Sequence, residues 1–391
     1  MKENRVEHKV NFFKNGSDIV TSEIVIMNKN VIVMAADSAV TVNNEKTYNG
    51  ANKLFKLSDT HPMAMMIFGT ATFGSISLES LIKGFVNKTD FEDLEDILKV
   101  KEAFLDYLND LPYSEFDFKN KLEMFKQGLL EILEDKSEKD FVNHINNIGD
   151  YPMLPFLEDE SLNPLFSDLK KELGEVDVEI DILKQNFNNL LLDLRSGIVI
   201  AGFNRNELLP SCISFDLITK YGNEIIIRDA DSYIGCGENL ILAFAQDDVI
   251  ATFMLGMHVD FDLLINDTIN DFLDLYHDYL RKSVENKKID DEKYLEYVEP
   301  ILDKTDFLIK SGLNKILMNI FDLKEVMFKQ IINTISFLPV DELVKMAKSM
   351  IYITSLRRKF DSNLETVGGD IDVAILSNGD GFLWKEELLS R

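Results

Sequence analysis

The chain has 391 residues, of which 46% are hydrophobic and 28% charged, a globular rather than a disordered composition. Its 41 Lys and Arg face 68 Asp and Glu, and the resulting net charge of −27 repels a phosphate backbone, which argues against a nucleic-acid partner. With Cys212 and Cys236 as its two cysteines, the chain can build neither a disulfide framework nor a four-cysteine zinc site.

Strand patterns come first. Residues 19–42 hold two β-rich runs joined at Asn28-Lys29-Asn30, a polar connection that predicts a hairpin. KLFKL follows at Lys53, and then the apolar run MAMMIF ends at Gly69. Residues 75–195 are mostly helix-patterned. Thr89 with Glu92 resembles a capping box that would open a helix over FEDLEDILKVKEAFLDYL. A second strand cluster spans 197–235, where GIVIAGFN, CISFDLI and EIIIRDADSYIG are separated by turns such as Tyr221-Gly222-Asn223. Residues 238–360 return to helical spacing, as in LILAFAQDDVIATFML and VDELVKMAKSMIYITSLRRK. The last cluster, 370–385, places DIDVAIL and GFLWK around Asn378-Gly379-Asp380-Gly381, a hairpin turn tolerant of positive φ. This order predicts one interleaved α+β domain with sheets inside and helices outside.

No apolar run reaches membrane-spanning length, and the first residues lack an apolar signal core. The reading is a soluble chain of a reducing, cytoplasmic compartment, with no membrane partner. The five histidines are scattered without HExxH or other ligand spacing, so no metal is assigned. No Walker A or dinucleotide glycine motif is present, so no cofactor is expected. Met63, Met65 and Met66 read as sheet core.

Thr21 heads the first strand, Asp37 closes the second in MAADSAV, and Lys53 opens NKLFKL, with a spacing of 16 in both steps. In these features residues 21–57 resemble the N-terminal part of a proteasome β subunit, of the N-terminal-nucleophile hydrolase superfamily. The resemblance resumes in GIVIAGFN, SFDLI, YIGCGENLILAF, PVDELVKMA and VGGDIDVAILSNGDGF. It implies a four-layer α/β/β/α sandwich, enlarged by helical insertions at about 86–195 and 255–338, with residues 1–20 as a leader and 21–391 as one domain. YIGCGENLILAF would then be a turn and the helix after it. The strands of Thr21 and Asp37 would lie side by side, with Lys53 on the adjacent strand.

The resemblance also implies a chemistry. A threonine hydroxyl needs a base beside it. Here that base would be the free α-amine of Thr21, with a reference pKa of about 7.7–8.0, exposed by cleavage of the Val20–Thr21 bond. Lys53 would keep the amine neutral, Asp37 would hold Lys53, and the Gly69 N–H would stabilise the oxyanion. Ile67 would face a specificity pocket by strand alternation. Cys236 stands where the family has a supporting serine, and Asp361, Ser362 or Thr366 would supply the remaining support. The substrate would be a peptide or another amide, and the chain is expected to form a homo-oligomer. Two alternatives stay open at this point. Asp37 and Lys53 also fit a structural ion pair, and the chain also fits a proteasome-like scaffold or binding protein that does not cleave.

Overall fold

The computed structural model describes residues 22–42, 46–49, 52–74, 76–112, 115–135, 137–146, 151–174, 176–234, 237–245, 247–258, 261–286, 296, 299–360 and 370–384. The fold is mixed α+β and is built on two five-stranded antiparallel sheets. Apolar β-branched runs favour strands because their side chains pack well on a pleated surface.

The first sheet starts with β1 (Ser22–Met27) and β2 (Val31–Asp37). Asn28 shapes the turn between them, its Oδ1 accepting from the N–H groups of Asn30 and Val31 at 2.9 and 3.1 Å. A small ribbon, β3 (Ala39–Val42) with β4 (Lys46–Asn49), follows. The second sheet begins with β5 (Leu54–Lys56) and β6 (Met63–Gly69), and β7 (Thr72–Phe73) pairs with β8 (Ile76–Ser77) just beyond. Among the described residues six α-helices come next: α1 (Leu78–Lys88), α2 (Ile97–Asp110), α3 (Glu115–Asp135), α4 (Glu138–Asn146), α5 (Asn163–Glu172) and α6 (Ile180–Asp193). Strands β9 (Ser196–Phe203), β10 (Pro210–Tyr221) and β11 (Glu224–Ile234) complete the second sheet in the order β11-β10-β9-β6-β5. The first sheet is completed by β12 (Leu240–Ala245), β13 (Ile371–Ser377) and β14 (Gly381–Trp384), in the order β12-β1-β2-β13-β14.

Strand alternation sorts the second sheet's side chains onto two faces. Ala64, Met66, Val199 and Ala201 join Val25, Met27, Ile32 and Met34 of the first sheet in one buried cluster. Met63, Met65, Ile198 and Ile200 point the other way, into a cluster with Leu81, Phe85, Val100 and Phe104 of α1 and α2. The methionine run thus serves both faces of its sheet. A separate cluster gathers α3 to α6 around Phe118, Phe141, Phe166 and Phe187, with Ile218 of β10 among its members. Helix α10 (Val340–Phe360) lies across β1 and β2.

Two sequence expectations fail here. LILAFA is not the start of a helix. It is the edge strand β12, paired along its length with β1 from Leu240↔Met27 to Ala245↔Ser22. A short unbroken apolar run fits a covered strand as well as a buried helix, and only the pairing partner decides. Thr89 opens no helix either, because it caps the C-terminus of α1, its N–H donating to the Phe85 carbonyl. The next helix starts at Ile97, where the Asp96 side chain accepts from Lys99 N. Asp at an N-cap satisfies donors that a helix end leaves open.

The chain divides into two compact units. One spans 13–246 with 338–391 and holds both sheets, α1 to α6 and α10. In the other, residues 247–337, α9 (Glu299–Ile335) packs on α7 (Asp247–Leu255) and on α8 (Phe261–Asn286). Its buried apolar side chains include Ile250, Ala251, Met254, Leu273, Leu313 and Ile335.

Candidate functional site

The site grows out of the β1–β2 hairpin. Its register sets Glu23 opposite Ala36, one step from the hairpin's open end. There the Ser22 N–H donates to Asp37 Oδ1 at 3.2 Å. The same oxygen accepts from Lys53 Nζ at 2.6 Å, and Glu23 Oε1 accepts from that ammonium at 2.9 Å. Lys53 immediately precedes β5, and its carbonyl accepts from Ile67 N at 2.9 Å. Its backbone is therefore fixed to the second sheet while its head group reaches the first. The expectation that Lys53 stands on a strand adjacent to β2 is corrected accordingly: the ammonium bridges the two sheets. The hairpin fills only one edge of β2, and β13 takes the other, with Ile371 opposite Asp37. A third strand from residue 53 onward has no edge left to use there.

These three charges are almost wholly buried, with relative exposures of 0% for Glu23, 2% for Asp37 and 4% for Lys53. Burial by itself disfavours the ammonium and is the largest single influence on it. The field of Glu23, then that of Asp37, and the hydrogen bonds to both together outweigh burial and hold Lys53 above its ordinary pKa. A lysine held this way stays charged and takes no part in proton transfer near neutrality. It acts as a fixed positive charge.

Gly69 ends β6 with φ +76, and an added Cβ would lie 2.9 Å from the Arg195 carbonyl oxygen. Glycine is required there on both counts. Next to it, Thr70 N donates to that carbonyl at 3.1 Å, and Thr70 Oγ1 lies 2.7 Å from Ser196 Oγ. Ile67 is buried in the apolar cluster that α1 and α2 share with the second sheet. Thr21, Cys236, Asp361, Ser362 and Thr366 lie outside the described residues. Of the candidates within them, the structure brings Asp37 and Lys53 into direct contact and places Gly69 and Ile67 on β6.

Sequence reasoning missed Glu23. The available signal was a lone carboxylate inside the run IVTSEIVIM, which alternation would send to solvent only if one face of the sheet were open. It also missed a second ionic group, buried at Asp216 and Arg195 and half-buried at Arg228. Asp216 Oδ2 accepts from Arg228 at 2.7 Å and from Arg195 Nε at 3.2 Å, Arg228 standing opposite Asp216 on the neighbouring strand. Cys212 is buried in β10, and burial pushes its thiol up to about 12, which leaves it no thiolate for chemistry near neutrality. Among the described residues, no group of three His, Cys, Asp or Glu side chains is placed to hold a metal ion. Among the same residues, no helix is long and apolar enough to cross a membrane.

No protein-family model matches the chain, and no curated protein matches it. Among solved structures, Anbu (ancestral beta-subunit) from Yersinia bercovieri is similar over 93% of this chain and 87% of that chain, at 9% identity and a TM-score of 0.36.

Proposed function

We propose that the chain is a proteasome-like threonine-type amidohydrolase or peptidase with the four-layer arrangement of the N-terminal-nucleophile hydrolases. In this reading residues 1–20 are a leader, and cleavage of the Val20–Thr21 bond frees the Thr21 amine. One observation carries the reading: Asp37 binds both the Lys53 ammonium and the N–H of Ser22, the residue joined to Thr21 by the peptide bond.

The proposed chemistry is acyl transfer. The Thr21 hydroxyl adds to the substrate carbonyl while the α-amine takes its proton. The amine then hands that proton to the departing nitrogen, which leaves an ester on Thr21. Water, deprotonated by the same amine, cleaves the ester and releases the acid. Lys53 contributes charge rather than a proton, opposing protonation of the amine and favouring an ionised hydroxyl. Asp37 positions Lys53, and the Gly69 N–H is the proposed oxyanion donor. Cys236 and one of Asp361, Ser362 and Thr366 are the proposed supporting groups, and the subunit acts as a homo-oligomer.

Glu23 favours a second reading. Lys53 is shared between two carboxylates, and a second negative charge opposes the deprotonated amine that the chemistry needs. On that reading the chain is a proteasome-like scaffold that keeps its leader and does not cleave.

Intact-mass spectrometry of wild type and Thr21→Ala, after incubation with an electrophile that traps N-terminal threonine, separates the two. Loss of 20 residues and labelling in wild type alone supports the hydrolase. An intact, unlabelled wild-type chain sinks it and leaves the scaffold.

A further inference from the structure

Helices α8 and α9 each bury one apolar face, at Leu273 on α8 and at Leu313 and Ile335 on α9. Each carries a second apolar stripe that is exposed. On α8 it is Phe261, Leu264, Phe272, Leu275 and Tyr279, between 40% and 70% exposed. On α9 it is Ile301, Leu308, Ile316, Leu323 and Val326, between 50% and 60% exposed, while Phe307, Met318 and Phe321, between 66% and 71% exposed, fall on the far side of that helix's lysines. The steps of 3, 4, 7 and 8 residues keep each set on one helix face. Stripes of this length on neighbouring helices are unusual on a free surface and mark interaction sites.

The charges beside the stripes say what covers them. Asp267, Asp271, Asp274 and Asp278 form an exposed acidic edge along the α8 stripe. Lys304, Lys315 and Lys329 form an exposed, mainly basic edge along the α9 stripe, which Asp322 interrupts and where Lys329 also pairs with Glu325. Viewed down each helix from its N-terminus, the two edges fall on the same side of their stripes. Same-side edges meet only when the helices run antiparallel, as in antiparallel coiled coils, whose facing flanks pair like with like in position. A partner of one charge sign would suit one helix and be repelled by the other. A second copy of this chain suits both at once, because a two-fold axis sets each α8 against the other copy's α9.

We propose that α8 and α9 form a self-association surface, in which the α8 stripe of one copy packs antiparallel on the α9 stripe of another and the aspartate edge meets the lysine edge. This surface is independent of the Thr21 reading and holds for hydrolase and scaffold alike.

The test is light-scattering mass measurement of the full chain at micromolar concentration, with charge-reversed variants. Wild type is expected to run at two or more times the 44.8 kDa chain mass. Asp271→Lys with Asp274→Lys makes both edges basic, and Lys304→Asp with Lys315→Asp makes both acidic. Each variant alone is expected to associate roughly tenfold or more weakly, and an equimolar mixture of the two to re-pair. These are exposed positions, and far-UV circular dichroism confirms that the helices persist. Leu275→Glu with Ile316→Glu is expected to lower association in the same way. A wild-type chain of single-copy mass overturns the proposal. So do charge-reversed variants that assemble like wild type, or a mixture that fails to re-pair.

Discussion

Lys53 shows how a buried charge is tolerated and what depends on it. Its ammonium lies 2.6 Å from Asp37 and 2.9 Å from Glu23 with water excluded. Removing one member of such a group leaves the others uncompensated, which typically costs about 3–5 kcal/mol. Lys53→Ala strands two carboxylates together and is expected at the upper end of that range. Glu23→Gln leaves the Lys53–Asp37 pair whole and is expected to cost on the order of 1–2 kcal/mol. Urea unfolding of the three proteins checks this, and equal losses for both variants would refute the shared-lysine account. The pH dependence has a definite sign. Because the folded pKa of Lys53 is raised, its contribution is complete below the unfolded value of about 10.4 and fades as pH climbs from there through the folded pKa. The stability gap between wild type and Lys53→Met is therefore expected to be flat from pH 8 to 10 and to narrow above that. The pairing of Asp37 with Lys53 was legible only through the resemblance of residues 21–57 to a proteasome β subunit, which implied it. Glu23 was not, because a carboxylate in a strand looks like a solvent-facing residue until both faces of the sheet are known to be covered.

At the scale of elements, hairpins were the most legible features. Asn28-Lys29-Asn30, Tyr221-Gly222-Asn223 and Asn378-Gly379-Asp380-Gly381 all turn between paired antiparallel strands. Turn chemistry is local, so a few residues suffice to encode it. Two glycines separate local from tertiary demands. Gly222 has φ +61 with nothing within 4 Å of an added Cβ, so Gly222→Ala is expected to cost only the conformational strain, about 1–2 kcal/mol. Gly69→Ala carries the same strain and also drives a Cβ to 2.9 Å from the Arg195 carbonyl, so it is expected to cost more than Gly222→Ala. Thermal unfolding of the two variants decides the order. An equal cost would show that the β6–β9 junction yields to the extra carbon. Helix boundaries were less legible. Thr89 and Asp96 are both good capping residues, and the choice fell to Asp96, whose helix then buries Ile97, Val100, Phe104 and Leu108. At β12, the run LILAFA was read as part of a helical pattern, but a short apolar run fits a covered strand as well, and its place beside β1 decided the matter.

For the whole molecule, the two units differ in how much they bury. The sheets and the helices packed on them carry nearly all of the buried apolar side chains, whereas residues 247–337 contribute few. Local opening follows the apolar contacts that resist it. In the dissociated, charge-reversed chain, amide hydrogen exchange in α8 and α9 is therefore expected to be faster than in β1, β2, β6 and β9, and slow exchange in α8 there would contradict it. The sequence by itself determined what depends on near neighbours and covalent spacing. That covers the mixed strand-and-helix composition and the three hairpin turns. Tertiary structure alone decided that Lys53 reaches across from the second sheet, that Glu23 joins it, and that LILAFA is a strand. Those outcomes depend on which distant strands take the free edges of β1 and β6 and on what covers each face. β12 joins β1, and β9 joins β6, across more than a hundred residues of chain, and no local pattern records that choice.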